Sequence, residues 1–190
     1  MQVFLIGLMG AGKTTVGKLL ASRLGCDWLD SDKVIEQRCG VSVREIFELE
    51  GEASFRDREE RVLDELTRQP HLVLSTGGGI VLREANRHAL RTRGTVVYLE
   101  ADPHELWLRT RHDKSRPILQ GADARQKLFD LHALRHPLYQ ATAHATVVTG
   151  RPGVREVVER VHQAVSALNP NHLAHTTPPA HTPCTLSTFP

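Results

Sequence analysis

A chain of 190 residues is long enough to bury the core of one domain of ordinary size, and its 40% hydrophobic and 24% charged residues are the balance of a globular protein. A formal net charge of +2 is too small to favour nucleic acid, and no apolar run approaches the roughly 20 residues a membrane span requires, so neither partner is expected. Cys26, Cys39 and Cys184 are odd in number and lack metal-ligand spacing, which points to reduced thiols and a cytoplasmic protein.

The first apolar run, Val3 to Ile6, has no basic flank and passes straight into GLMGAGKTT, so it reads as a buried strand and not as a signal peptide. Gly7, four residues, then Gly12-Lys13-Thr14 is the P-loop spacing, and Val16, Leu19, Leu20 and Leu24 predict the amphipathic helix that should follow it. In that setting the loop amides turn inward around phosphates, the helix N-terminus adds positive potential, Lys13 reaches the terminal phosphates and the Thr14 hydroxyl faces magnesium. Gly10, Ala11, Gly12, Lys13, Thr14 and Thr15 are the expected nucleotide contacts; a plain glycine turn is the competing account.

Trp28 and Leu29 predict a short second strand, with Asp30-Ser31-Asp32 just beyond it at the edge where open parallel sheets bind ligands. Two carboxylates there can divide the work, one holding magnesium through water and one accepting a proton from an attacking hydroxyl, although an Asp helix cap would also explain them. Polar helical stretches follow, Asp32 to Cys39 and Glu52 to Thr67, expected to stand outside the sheet. The second carries FRDREE, in which Arg56 and Glu59 share a helical face; alone, a surface ion pair would account for them.

A third apolar run, Leu72 to Leu74, ends in STGGG at Ser75 to Gly79, where glycines let backbone approach a small ligand. A fourth strand is predicted at Val96 to Leu99. RHDKSRPIL, Arg111 to Leu119, has the character of a flap whose Arg116 could cover the phosphates, or of a solvated loop. RHPLY, Arg135 to Tyr139, could be no more than a helix end before Pro137. Ala145 to Val148 and the stripe Val154, Val157, Val158, Val161, Val165 and Leu168 complete an alternation of strands and helices that predicts an α/β fold with a parallel sheet. From Asn169 the proline-rich and histidine-rich residues 169–190 have no apolar periodicity and read as a disordered tail.

In order, P-loop, DSD, FR..E, GGG, RP and R..LY resemble the shikimate kinase family over about residues 2–168. The resemblance implies a nucleoside-monophosphate-kinase-like P-loop fold, three layers with a central parallel sheet of about five strands, substrate-binding helices at about 31–60 and a lid at about 111–123. It implies transfer of the ATP γ-phosphate to the 3-hydroxyl of shikimate, a step in aromatic amino-acid biosynthesis, by a monomer using Mg2+. Lys13 would contact the terminal phosphates, Thr14 would bind the metal, and Asp30 would assist it through water. Asp32 would be the base on the substrate hydroxyls, and Arg116 the lid arginine at the phosphates. Arg56 and Arg135 would grip the shikimate carboxylate, Gly78 and Gly79 would give backbone contacts, and Arg109 and Arg151 would flank the adenine. Gln140 stands where many members have Glu, and the tail matches no family pattern. A gluconate kinase of the same fold lacks a use for the FR..E and R..LY arginines. A nucleotide-binding regulatory module that has lost transfer activity would be expected to lose the base or the lysine, yet Lys13, Asp30, Asp32 and Arg116 are all present.

Overall fold

Five short strands, β1 (Gln2–Ile6), β2 (Asp27–Asp30), β3 (Leu72–Ser75), β4 (Thr95–Glu100) and β5 (Ala145–Val148), pair in parallel in the order β2-β3-β1-β4-β5. The computed structural model describes residues 1–111, 123–150 and 153–170. After Gln2 the central strand β1 is apolar, and Phe4, Leu5 and Ile6 are fully buried, because helices cover both faces of a parallel sheet and leave no side for polar residues. Its register sets Leu5 beside Ser75 on β3 and Val97 on β4.

The helices are α1 (Lys13–Leu24), α2 (Ser31–Cys39), α3 (Val43–Leu66), α4 (Glu84–Arg93), α5 (Pro103–Thr110), α6 (Ala124–Thr142) and α7 (Val154–Leu168), with a 3-10 turn at Ile80–Leu82. α1 and α7 pack on each other, burying Val16, Leu20 and Leu24 from one and Val157, Val158, Val161 and Val165 from the other. Leu19, on the edge of the α1 stripe, remains exposed. Ser42 opens α3 with a reciprocal cap, its hydroxyl accepting from Glu45 N while Glu45 accepts from Ser42 N. Gly51, at φ 83°, breaks α3 into two pieces. The helix predicted from Glu52 is the second piece; the first, from Val43, falls within the substrate-binding helices at about 31–60 that the resemblance implies, although no helical stretch was read there from the residues themselves.

α6 continues through Pro137 to Thr142, so RHPLY is helix interior and not a helix end. Proline removes one hydrogen bond, but the fully buried Tyr139 and Thr142 beyond it tie the last turn into the core. Asn169 also belongs to the ordered chain: its amide donates to Val165 O at 3.0 Å and to Thr95 Oγ1 at 2.7 Å. Residues 171–190 of the predicted tail, and residues 112–122 of the predicted lid, lie outside the described residues. The carboxyl ends of β1, β2 and β3 are adjacent, which brings the P-loop, Asp30-Ser31-Asp32 and the triple glycine to one edge of the sheet.

Candidate active site

On the nucleotide side, Gly10 and Gly12 hold left-handed backbone at φ 81° and 91°, and Gly12 caps α1 with no side chain competing for the first-turn amides. Those amides remain for an anion. Lys13 Nζ donates to Gly7 O at 2.7 Å and Leu8 O at 3.0 Å, so its charge sits over the loop. Thr14 Oγ1 donates to Asp30 Oδ2 at 3.0 Å, while Asp30 Oδ1 accepts from Asp32 N at 3.1 Å and caps α2. Both accounts of Asp30 therefore hold at once, one oxygen serving the helix and the other facing the P-loop. Arg109, on α5, donates to Gly10 O at 3.3 Å and stands beside the same loop. Arg116 and Arg151 lie outside the described residues.

Beside the P-loop is a cavity of about 400 Å³ bounded by the sheet edge, α2, α3 and α6. Thr14, Asp30 and Asp32 line it, as do Arg56, Glu59 and Arg135, while Val43, Phe47 and Phe55 give it an apolar wall. Arg56 is 8% exposed and far from the surface pair its spacing alone suggested: Nη1 bonds Glu59 Oε2 at 2.8 Å, and Nη2 bonds Glu52 Oε1 at 2.9 Å. Its guanidinium also lies 5.2 Å from the Phe55 ring centroid, within cation-π range. Glu59 has no exposed surface, and burial lifts its carboxyl above the usual range against the opposing pull of Arg56, Arg135 and Arg83. In this wall Glu59 Oε1 and Arg135 Nε are buried without a hydrogen bond among the described residues.

The triple glycine lets these side chains lie directly against backbone. A β-carbon on Gly77 would stand 2.5 Å from Asp32 Oδ1, and one on Gly79 would stand 2.5 Å from Arg56 Cζ. Gly77 N donates to Ser31 Oγ at 3.1 Å, and the Gly78 carbonyl accepts from the Tyr139 hydroxyl. The expected residues Lys13, Thr14, Asp30, Asp32, Arg56, Gly78, Gly79 and Arg135 thus meet at one edge of the sheet, two arginines and the acid pair sharing one cavity beside the P-loop. A second cavity, about 470 Å³, opens at the opposite edge among Arg91, Arg93 and His144 and contains none of these groups.

Sequence reasoning did not assign Glu59, Phe55 or Tyr139 to the site, although Phe55 and Glu59 flank Arg56 in one motif and Tyr139 stands one turn from Arg135. Val43 and Phe47 left no signal, because the first piece of α3 was not read as a helix. 

Against known proteins, the family model "Shikimate kinase" matches residues 9–166. The shikimate kinase of Ralstonia nicotianae is 57% identical over 160 residues, 84% of each chain. The structure of shikimate kinase from Acinetobacter baumannii in complex with shikimate superposes with a TM-score of 0.85 at 46% identity, covering 88% of this chain and 93% of that one. A gluconokinase from Sinorhizobium meliloti, at 16% identity and a TM-score of 0.57 over 90% and 94% of the two chains, shares the fold alone. With its P-loop, its acid pair and its buried arginines in one cleft, the chain belongs to the shikimate kinase family.

Proposed function

We infer that the protein transfers the γ-phosphoryl group of ATP to the 3-hydroxyl of shikimate, giving shikimate 3-phosphate for aromatic amino-acid biosynthesis. The observation that carries this reading is the lining of the acceptor cavity: Arg56 and Arg135 share it with Asp32, beside the P-loop. A small ring acid bearing hydroxyls is the chemical complement of that arrangement. The arginines bind its carboxylate, Phe47 and Phe55 border the space for its ring, and Asp32 accepts the proton of the attacking hydroxyl. The hydroxyl oxygen forms the new bond to phosphorus as the bond to the β,γ-bridging oxygen breaks, and that electron pair leaves with ADP. Lys13 sits where it can neutralise charge on the terminal phosphates.

Thr14 and Asp30 offer a hydroxyl and a carboxylate oxygen 3.0 Å apart, hard ligands that suit Mg2+. Among the described residues no cluster of three His, Cys, Asp or Glu suits a metal, which fits an ion that draws its remaining ligands from phosphate and water. When bound, Mg2+ supplies charge neutralisation at the β- and γ-phosphates. Arg116, on the 111–123 lid, is assigned to the same charge, and Arg109 and Arg151 to the adenine. We assign the protein to the cytoplasm as a monomer that binds neither nucleic acid nor membrane. Among the described residues no helix is long and apolar enough to cross a membrane.

ADP release measured with shikimate, gluconate, nucleoside monophosphates and no acceptor tests the assignment. Shikimate should dominate, and Asp32→Asn should lower turnover by at least about a hundred-fold even where shikimate still binds. Turnover with gluconate equal to or above that with shikimate would refute the reading.

A further inference from the structure

Tyr139 lies on α6 one turn beyond Arg135, is fully buried, and does not line the acceptor cavity. Its hydroxyl donates to the Gly78 carbonyl, and Arg135 Nη1 lies against the same peptide, 3.7 Å from where a β-carbon on Gly78 would stand. A carbonyl oxygen only accepts, so the phenol proton is committed to Gly78. The phenol thereby fixes the peptide that Arg135 lies against.

The ring that carries this hydroxyl is itself fixed. Tyr139 stacks on Tyr98, with centroids 5.0 Å apart and planes 25° apart, and the Tyr98 hydroxyl shares a hydrogen bond with His136 Nδ1 at 3.1 Å. For filling the core a phenylalanine would serve as well. A desolvated hydroxyl is costly unless paired, and here its partner, Gly78, belongs to the acceptor site. Burial also holds the phenol above its usual pKa, so it remains a neutral donor throughout the working pH range.

We propose that Tyr139 is a positioning residue for acceptor recognition, its hydroxyl locking the Gly78 peptide, and with it the seat of the Arg135 guanidinium, into one preset arrangement around the acceptor's carboxylate. The proposal rests on the shikimate reading of the cavity. Without this bond the Gly78 peptide, and the guanidinium that lies on it, must be ordered at the moment of binding, and affinity falls by that ordering entropy. Lys13 and the phosphate loop do not depend on it.

The test is Tyr139→Phe, which removes one oxygen and keeps the ring. Wild-type turnover is measured first with shikimate and with its carboxamide, a neutral acceptor of the same shape; absence of wild-type turnover on shikimate would overturn the functional assignment itself and not this proposal alone. Given wild-type turnover, the variant should raise the shikimate KM about ten-fold and change kcat, the ATP KM and the carboxamide kcat/KM by no more than about two-fold. An unchanged shikimate KM overturns the proposal, and so does an equal loss on shikimate and carboxamide, which would mean general damage to the fold. Tyr98→Phe supplies the packing control, since it alters the same stack and keeps the hydroxyl at 139. It should leave the shikimate KM within about two-fold of wild type. A KM rise in it as large as in Tyr139→Phe would also overturn the proposal.

Discussion

Replacing each acceptor arginine by alanine should separate binding from folding, because the two are held differently before any ligand arrives. Arg56 is paired to Glu59 at 2.8 Å and to Glu52 at 2.9 Å, whereas Arg135 has no ion-pair partner among the described residues and its Nε is unbonded. Loss of a charge-assisted hydrogen bond to a carboxylate, about 1.5 to 3 kcal/mol, weakens shikimate binding roughly ten- to a hundred-fold for either variant. Stability should diverge. Arg56→Ala strands the fully buried Glu59, and breaking a buried pair costs about 3 to 5 kcal/mol, reduced to the extent that Glu59 takes up a proton instead. At roughly 2 to 4 °C per kcal/mol for a domain of this size, that is a fall in Tm on the order of 10 °C. Arg135→Ala removes a desolvated cation that already lacks a partner at Nε, so its Tm should fall by less than half as much. Calorimetric titration of shikimate and ATP, with thermal scans of the unliganded proteins, measures both quantities. ATP affinity should be unchanged within about two-fold in each variant, since among the described residues neither arginine makes a hydrogen bond or ion pair with the P-loop. Equal losses of Tm in the two variants would refute the electrostatic argument, and unchanged shikimate affinity would refute the clamp.

Lys13→Ala should lower kcat by about a hundred-fold or more while Tm moves little, because the lysine is half-exposed and its charge lies over loop carbonyls where phosphate binds; turnover near that of wild type would remove it from the phosphate site. Chelation of divalent ions should abolish turnover without changing the Tm of the nucleotide-free protein, since one hydroxyl and one carboxylate do not bind Mg2+ firmly without phosphate. Removing residues 171–190 should leave Tm and activity unchanged, whereas truncation after Leu168 should lower Tm, because Asn169 bonds Thr95 and caps α7. The raised Glu59 carboxyl means that the folded state binds more protons than the unfolded one, so its contribution to stability is complete below the unfolded value near 4.5 and declines as pH rises through the folded value. The Tm of wild type minus that of Glu59→Gln should therefore grow as pH falls across that window; a difference that shrinks would contradict the burial argument.

What the sequence revealed and what it hid divide along a physical line. Strand β1, the P-loop and α1 are legible because their constraints are local: an apolar run, positive-φ glycines and a helical stripe within some twenty residues. The pairing of Arg56 with Glu59 was equally visible, but its burial was not. Three-residue spacing fixes that two side chains share a face, and only the packing of α3 against the triple glycine decides that the face is turned inward. Pro137 misled for a similar reason. Local propensity ends a helix there, and the buried positions Tyr139 and Thr142 overrule it. The Tyr139 bond to Gly78 spans sixty-one residues and leaves no mark on either motif alone.

The stretch Ser75 to Gly79 accounts for how two binding sites on different strands can serve one reaction. Ser75 Oγ donates to Lys13 O at 2.9 Å and accepts from Trp28 Nε1 at 3.1 Å, tying the first residue of α1 to β3 and β2. Thr76 Oγ1 bonds Leu5 O on β1 at 3.0 Å, and Gly77 N bonds Ser31 Oγ between the two acids. Gly78 receives the Tyr139 hydroxyl, and Gly79 lies under the Arg56 guanidinium. Five consecutive residues therefore anchor the phosphate loop, the acid pair and both arginines to one piece of backbone. In-line transfer needs the acceptor oxygen and the phosphorus held about 3 to 3.5 Å apart, a tolerance that two independently mobile sites would not keep. A shift of this segment would move Lys13 and Arg56 together, so a substitution here, unlike one in the clamp alone, should weaken ATP and acceptor binding in step.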